Sequence, residues 1–209
     1  TEAIGGFIVT ASHNPIEWNG LKFLRSDSTF FHPEDCEKLF ELADQNIDIN
    51  DSSEKGMLWA EKNAIQKHII SCVSMSCIDL NRIQKRKFKV VIDAVNGAGS
   101  NALPPLLESL GCEVFELYCE PNGDFVRGTE PLPEHLKNLG EEVIKYGADV
   151  GFAVDPDADR LAIVNEMGEP LGEEYTLVVA ADGYLRDTGK EEKFVINLST
   201  SLALEKLAE

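Results

Sequence analysis

The sequence predicts an α/β fold, and three observations carry that expectation. Residues 89–94 and 113–118 are short apolar, β-branched runs on either side of a helical segment. Together they make a β-α-β unit with a right-handed crossover and a parallel pair. Residues 150–154 form a third such run that ends directly in a carboxylate-rich loop, at the end of a strand where open α/β sheets place their ligands. Residues 5–9, aromatic and β-branched, read as a buried strand that empties into Thr10-Ala11-Ser12-His13-Asn14-Pro15, a dense run of turn and cap formers.

The remaining elements follow in order. Residues 19–24 read as a second strand, and His32-Pro33-Glu34 opens a helix with proline and acids in its first turn. Cys36, Leu39, Phe40 and Ala43 recur at helical spacing, which predicts a core-facing stripe. Residues 47–55 are a polar loop, and residues 58–74 a longer helix with Ile65, Ile69, Cys72 and Val73 on one face. His68 lies beside that face and reads as a packed or capping histidine. Residues 78–87 join this part to the next, and the basic run Arg82, Lys85, Arg86, Lys87 and Lys89 reads as a solvated linker.

Strand 89–94 turns at residues 96–100 into a helix over 101–110, which Gly111 stops. A loop rich in Pro, Gly and acid leads to a helix over 133–146. After strand 150–154, residues 161–164 resume an apolar run, and residues 165–168 form a hairpin-like turn suited to an antiparallel pair. A helix over 175–186, a strand over 194–198 and a last helix capped by Ser199 complete the series. The divisions expected are 1–56, a helix and linker over 57–87, 88–190, and 191–209.

Composition narrows the function. Nineteen basic side chains stand against thirty-seven acidic ones, a formal charge of −18. Such a balance opposes nucleic acid or an anionic membrane as partner, since both reward clustered Lys and Arg. No apolar run reaches the length of a membrane span. The five cysteines, Cys36, Cys72, Cys77, Cys112 and Cys119, are odd in number and lack a Cys-x-x-Cys pair, so they read as reduced thiols in a cytoplasmic protein.

Two loops carry the chemistry. Ser12 sits at the mouth of a strand, where free backbone N–H groups attract an anion, and phosphate is the natural occupant. A plain polar turn and a serine hydrolase are the other readings. The hydrolase lacks its Gly-x-Ser-x-Gly elbow, and His13 is the serine's immediate neighbour, not a base from a separate element.

In Asp155-Pro156-Asp157-Ala158-Asp159-Arg160, three carboxylates at alternate positions repel one another until a cation sits among them, and hard oxygen ligands suit Mg²⁺ or Ca²⁺. Arg160 adds a fork suited to a phosphate oxygen. With Glu166, the aspartates also fit a calcium-hand spacing, yet Arg160 stands where that loop needs glycine. A solvated acidic turn is the plainer alternative. Against so acidic a background, Lys22, Arg25, Arg160 and the metal are the candidates to draw in a phosphorylated substrate.

These motifs resemble those of a known family. Thr10 to Pro15, followed by Glu17-Trp18-Asn19-Gly20-Leu21-Lys22-Phe23, is similar to the phosphoserine loop of the α-D-phosphohexomutases, and residues 155–160 look like that family's magnesium loop. Asn96-Gly97-Ala98-Gly99 and Glu130-Pro131-Leu132-Pro133-Glu134 look like parts of its second domain. The resemblance implies three-layer α/β/α domains with mixed, mostly parallel sheets. It implies four domains in all, with this chain carrying the end of the first, the second and the start of the third, and with no activity of its own.

The resemblance further implies a phosphoserine at Ser12 that moves a phosphoryl group between carbons one and six of a hexose phosphate through a sugar 1,6-bisphosphate. Mg²⁺ would be held by Asp155, Asp157, Asp159 and the phosphoryl group on Ser12. Arg160 would steady the phosphoserine, His13 would contact the phosphate or assist proton movement, and Lys22 would act as acid-base or electrostatic helper. Thr10 and Asn14 would join Arg160 in phosphate binding. The tracts look most like those of prokaryotic phosphoglucosamine and phosphomanno/phosphoglucomutases. Neither the hexose nor the oligomeric state is legible.

One motif points elsewhere. Gly97, Gly99 and Ala102 match Gly-x-Gly-x-x-Ala, and Glu116 could serve as a ribose-binding acid, the pattern of a nicotinamide- or flavin-dependent oxidoreductase. The structural alternative is a tight strand-to-helix turn with close packing. A phosphosugar-binding module without turnover is the third reading.

Overall fold

The computed structural model describes residues 3–45, 56–172 and 174–208. The expected loop over 47–55 lies outside the described residues. The chain divides into two compact units, residues 1–11 with 17–62, and residues 12–16 with 63–209.

In the first unit, β1 (Gly5–Val9) pairs antiparallel with β2 (Leu21–Arg25), placing Phe7 opposite Phe23 and Ile8 opposite Lys22. Thr10 N–H donates to the Gly20 carbonyl at 3.0 Å, which closes the ladder where the strands end. The strand expected to be buried is exposed along its whole length, with Phe7 66% and Val9 60% accessible. The reason is the two-stranded sheet, which gives β1 one neighbour and no covering layer among the described residues.

Helix α1 (Pro33–Asp44) begins where Pro33 predicts, with Asp35 accepting from the His32 N–H at 3.0 Å. Its apolar stripe is not a core: Phe40 is 64% exposed, and none of the helix's residues is buried.

The second unit opens with α2 (Ala64–Val73), shorter than expected because residues 58–62 do not continue the helix. The segment read as a plain join contains α3 (Leu80–Arg86), started by Asp79 accepting from the Arg82 N–H at 2.9 Å. The basic run is accordingly partly engaged. Arg82 pairs with Asp187, and Arg86 stacks over Phe88 at 5.2 Å.

The main sheet runs β4-β3-β5-β6, from β3 (Lys89–Asp93), β4 (Glu113–Leu117), β5 (Val150–Val154) and β6 (Leu161–Val164). β3 is parallel to both β4 and β5, whereas β6 is antiparallel to β5. Strand alternation sorts the core into two faces. Val90 and Ile92 pack with Leu107 of α4 (Leu103–Ser109), while Val91 packs with Leu139 and Val143 of α5 (Lys137–Tyr146). Helices therefore cover both faces, giving three α/β/α layers.

Both helices start later than read. A 3-10 turn over Ala98–Asn101 precedes α4, and another over Pro133–His135 precedes α5. Pro133 opens the second of these turns and Pro104 lies in the first turn of α4, places where a missing N–H costs no hydrogen bond. Beyond α6 (Glu174–Thr188), residues 194–198 form no strand, with Val195 99% accessible and no neighbour to complete a ladder among the described residues. The last helix, α7 (Leu202–Ala208), is capped by Ser201, whose hydroxyl accepts from the Ala203 N–H at 3.2 Å, and not by Ser199. All five cysteines are free, as expected.

Candidate functional site

The site is built where β5 ends. The strand hydrogen-bonds on both edges, so Asp155 is delivered at the sheet's carboxyl end with no accessible surface. The chain then folds back tightly. Asp155 Oδ1 accepts the N–H groups of Asp159 and Arg160, each at 3.1 Å, and Ala158 adopts φ 60° to allow it. This wraps the alternating aspartates around one point, and carboxylate oxygens of Asp155, Asp157 and Asp159 lie within 4.8 Å of one another.

The electrostatics are those of a cation site. Burial pushes the Asp155 carboxyl up to about 6; the Arg160 N–H pulls it down, and the charges of Asp157 and Asp159 push it further up. Asp155 Oδ2 is buried and receives no donor. A buried carboxylate oxygen without a donor, facing two more carboxylates, is what a hard divalent ion satisfies, so the residues present fit the expected metal.

The serine loop belongs to the same unit. Ser12 adopts φ 55°, and its Oγ lies 3.3 Å from His13 Nδ1. His13 Nε2 in turn is 3.5 Å from an Nη of Arg160, whose other Nη pairs with Glu130. The Thr129 hydroxyl donates to the His13 carbonyl. Ser12, His13 and Arg160, expected to share a site, are thus brought together beside the carboxylate loop. Asn14 lies in the same loop, exposed. Thr10 and Lys22 belong to the hairpin unit, Lys22 on β2 and Thr10 just past β1.

The turn at residues 96–100 has a clear structural task. A Cβ on Gly97 would stand 2.5 Å from the Pro156 carbonyl oxygen, and one on Gly99 would meet Val154 and Ala158. Ala98 N–H donates to that same carbonyl at 2.8 Å. These glycines let the turn seat directly against the carboxylate loop, and the close approach a pyrophosphate would need is already taken. The neighbouring cavity, about 520 Å³, is lined by Glu116, Glu120 and Asp124, which would repel a dinucleotide's phosphates. Burial also pushes the Cys119 thiol there up to about 11, far from a reactive thiolate.

Sequence reasoning passed over the segment that fastens the two loops. Arg127 and Thr129 sit in a stretch read only as Pro, Gly and acid, and Glu130 enters only as part of a resembling tract, with no role of its own; none belongs to a strand or helix whose periodicity would mark it. The signal available was an arginine and a glutamate set in an otherwise acidic, proline-rich connection.

The fold and site define a class: an α/β protein with a three-carboxylate loop that could hold a cation at a strand's carboxyl end, and a serine loop whose histidine lies beside that loop's arginine. Residues 66–168 match the family model for phosphoglucomutase/phosphomannomutase alpha/beta/alpha domain II, and residues 1–49 that for domain I. The chain belongs to the phosphoglucomutase/phosphomannomutase family. A phosphoglucomutase/phosphomannomutase of Thermococcus kodakarensis is 36% identical over 99% of this chain and 45% of its own length. The phosphoglucosamine mutase of Actinobacillus succinogenes is 31% identical over 98% of this chain and 46% of its own.

Among solved structures, one from Thermus thermophilus shares the fold with a TM-score of 0.80 at 23% identity, covering 99% of this chain and 46% of that one. A phosphoglucomutase/phosphomannomutase family protein from Burkholderia thailandensis aligns at TM-score 0.62 and 25% identity, covering 88% of this chain and 38% of that one. The chain spans a little under half the length of the curated relatives it matches.

Proposed function

We propose that the natural protein interconverts hexose 1- and 6-phosphates by phosphoryl transfer through Ser12. The observation that carries this is the run of contacts from Ser12 Oγ through His13 to Arg160, the residue that follows the three converging aspartates. Names of the relatives, phosphoglucosamine mutase and phosphoglucomutase/phosphomannomutase, support the same reaction class.

In the forward half-reaction, a free hydroxyl of the sugar monophosphate attacks the phosphoryl group on Ser12. A P–O bond to the sugar forms, the bond to Ser12 Oγ breaks, and the proton lost by the sugar hydroxyl is matched by one gained at Ser12 Oγ, which is left as a free hydroxyl. The resulting sugar 1,6-bisphosphate turns over and returns its other phosphoryl group to Ser12. Such a transfer has a loose transition state, so the chain's task is alignment and charge neutralisation. His13, next to Ser12, and Arg160, next to His13, would hold the phosphoryl oxygens, with Thr10 and Asn14 as further contacts.

Asp155, Asp157 and Asp159 would hold Mg²⁺, which when bound offsets charge on the phosphoryl oxygens and on the departing serine oxygen. Lys22 would serve as acid-base or electrostatic helper. The partner is a phosphorylated hexose in the cytoplasm, and among the described residues no helix is long and apolar enough to cross a membrane. We place the end of the first domain in 1–56, a linker in 57–87, the second domain in 88–190 and the start of the third in 191–209. The 209-residue chain alone would be inactive.

The deciding experiment uses the full natural protein and a ³²P-labelled hexose 1,6-bisphosphate. The wild type should take label on Ser12 and turn over, whereas Ser12→Ala should do neither. Near-normal turnover by Ser12→Ala would sink the assignment. Binding of the bisphosphate with neither label on Ser12 nor turnover would point to a phosphosugar-binding module.

A further inference from the structure

One buried arginine stands outside the machinery described above yet touches what holds it in place. The Arg127 side chain is 6% exposed and Asp93, its partner, 1%. Arg127 Nε donates to Asp93 Oδ2 at 2.7 Å, Nη2 to the Val154 carbonyl at 2.7 Å and Nη1 to the Gly128 carbonyl at 2.9 Å. Asp93 is the last residue of β3 and Val154 the last of β5, so one rigid fork ties the carboxyl ends of two parallel strands. Val154 is bonded directly to Asp155. Two and three residues after Arg127, Thr129 holds the His13 carbonyl and Glu130 holds Arg160.

A buried ion pair is a poor way to gain stability, because desolvation offsets most of the attraction and apolar replacements often do as well. What it supplies here is direction. Asp93 Oδ1 also accepts the N–H of Val95 at 2.9 Å, in a turn where Val95 and Asn96 stand at φ 47° and 56°. A β-branched residue in that region persists only when its surroundings over-determine it.

We infer that Arg127, seated on Asp93, is a positioning residue that sets where β5 ends and hence where the carboxylates of Asp155, Asp157 and Asp159 converge. The inference rests on the metal-dependent reading above and acts through the aspartates, since Arg127 itself contacts no ligand.

The test is Mn²⁺ binding to the metal-stripped, full natural protein by calorimetry, with thermal melting alongside. Arg127→Lys keeps the charge beside Asp93 but cannot reproduce the three-way fork. The pair Arg127→Met with Asp93→Asn removes both charges and keeps an acceptor for Val95. Both should melt near the wild type and bind Mn²⁺ about tenfold more weakly, the usual scale for a group behind the ligands. A structural role alone predicts affinity within twofold of wild type in any variant that melts normally, and that result overturns the inference. If the double variant does not fold, R127K decides by the same criterion. Asp155→Asn separates the two layers. If it binds Mn²⁺ as the wild type does, or the wild type binds none, the metal-site reading fails and this inference with it.

Discussion

Asp155 concentrates the site's electrostatics in one side chain. Its folded value of about 6 lies above the ordinary 3.8, so its contribution favours the folded chain fully below pH 4 and is lost as pH rises through 6. Without metal, urea denaturation between pH 4 and 6.5 should therefore show this loss, and Asp155→Asn should flatten it; an unchanged slope would mean the carboxyl is not held up as argued. With metal the sign reverses, because a cation takes the ionised form. The rise in melting temperature on adding Mg²⁺ should be larger at pH 7.5 than at pH 5.

Gly97 shows how little room the neighbouring turn leaves. Gly97→Ala would drive a methyl group into the Pro156 backbone, and backbone cannot swing aside as a side-chain tip can. A loss of about 1–3 kcal/mol is expected. Chemical denaturation measures it, and Mg²⁺ binding should weaken in parallel because Pro156 lies between two of the aspartates.

At the scale of elements, α5 is the lever beneath the site. Leu139 and Val143 are fully buried against Val91, Ala153 and Ala162, so the helix holds the centre of the sheet from one face. Leu139→Ala should cost about 2–5 kcal/mol by denaturant titration. A cost under 1 kcal/mol would show that the layer collapses around the cavity. The β1–β2 hairpin differs in kind, since Phe7, Val9 and Leu21 are all more than half exposed and its ladder carries most of its order.

At the scale of the whole molecule, the formal charge of −18 sets a repulsive background that folding must concentrate. Screening shortens from about 10 Å at 0.1 M salt to about 3 Å at 1 M. Raising NaCl across that range should increase the melting temperature of the chain. A fall would mean that attractive surface pairs such as Lys145–Glu142 outweigh the net repulsion. Against the same background, Arg160 and a cation held by the aspartates would be the local positive charges at the proposed site.

Much was legible because it is local. The alternating aspartates of residues 155–159 announce mutual repulsion at sight, the parallel β3–β4 pair follows from two apolar runs around a helical segment, and Pro33 marks a helix start whatever surrounds it. Less legible was whatever depends on a neighbour. Residues 194–198 have a strand's composition but no ladder, Phe40 has a core residue's spacing without burial, and the glycines of 97 and 99 spell a nucleotide turn yet serve packing.

The sequence by itself determined the chemistry on offer: a serine in a turn of cap formers, three alternating carboxylates that could share a cation, and an arginine beside them. Only the tertiary structure decided that these meet, because His13 and Arg160 are far apart in the chain and come within 3.5 Å through the folding of the sheet. It alone revealed the fastening by Arg127, Thr129 and Glu130. Long-range hydrogen bonds follow the path of the backbone in space, and no periodicity along the chain records them.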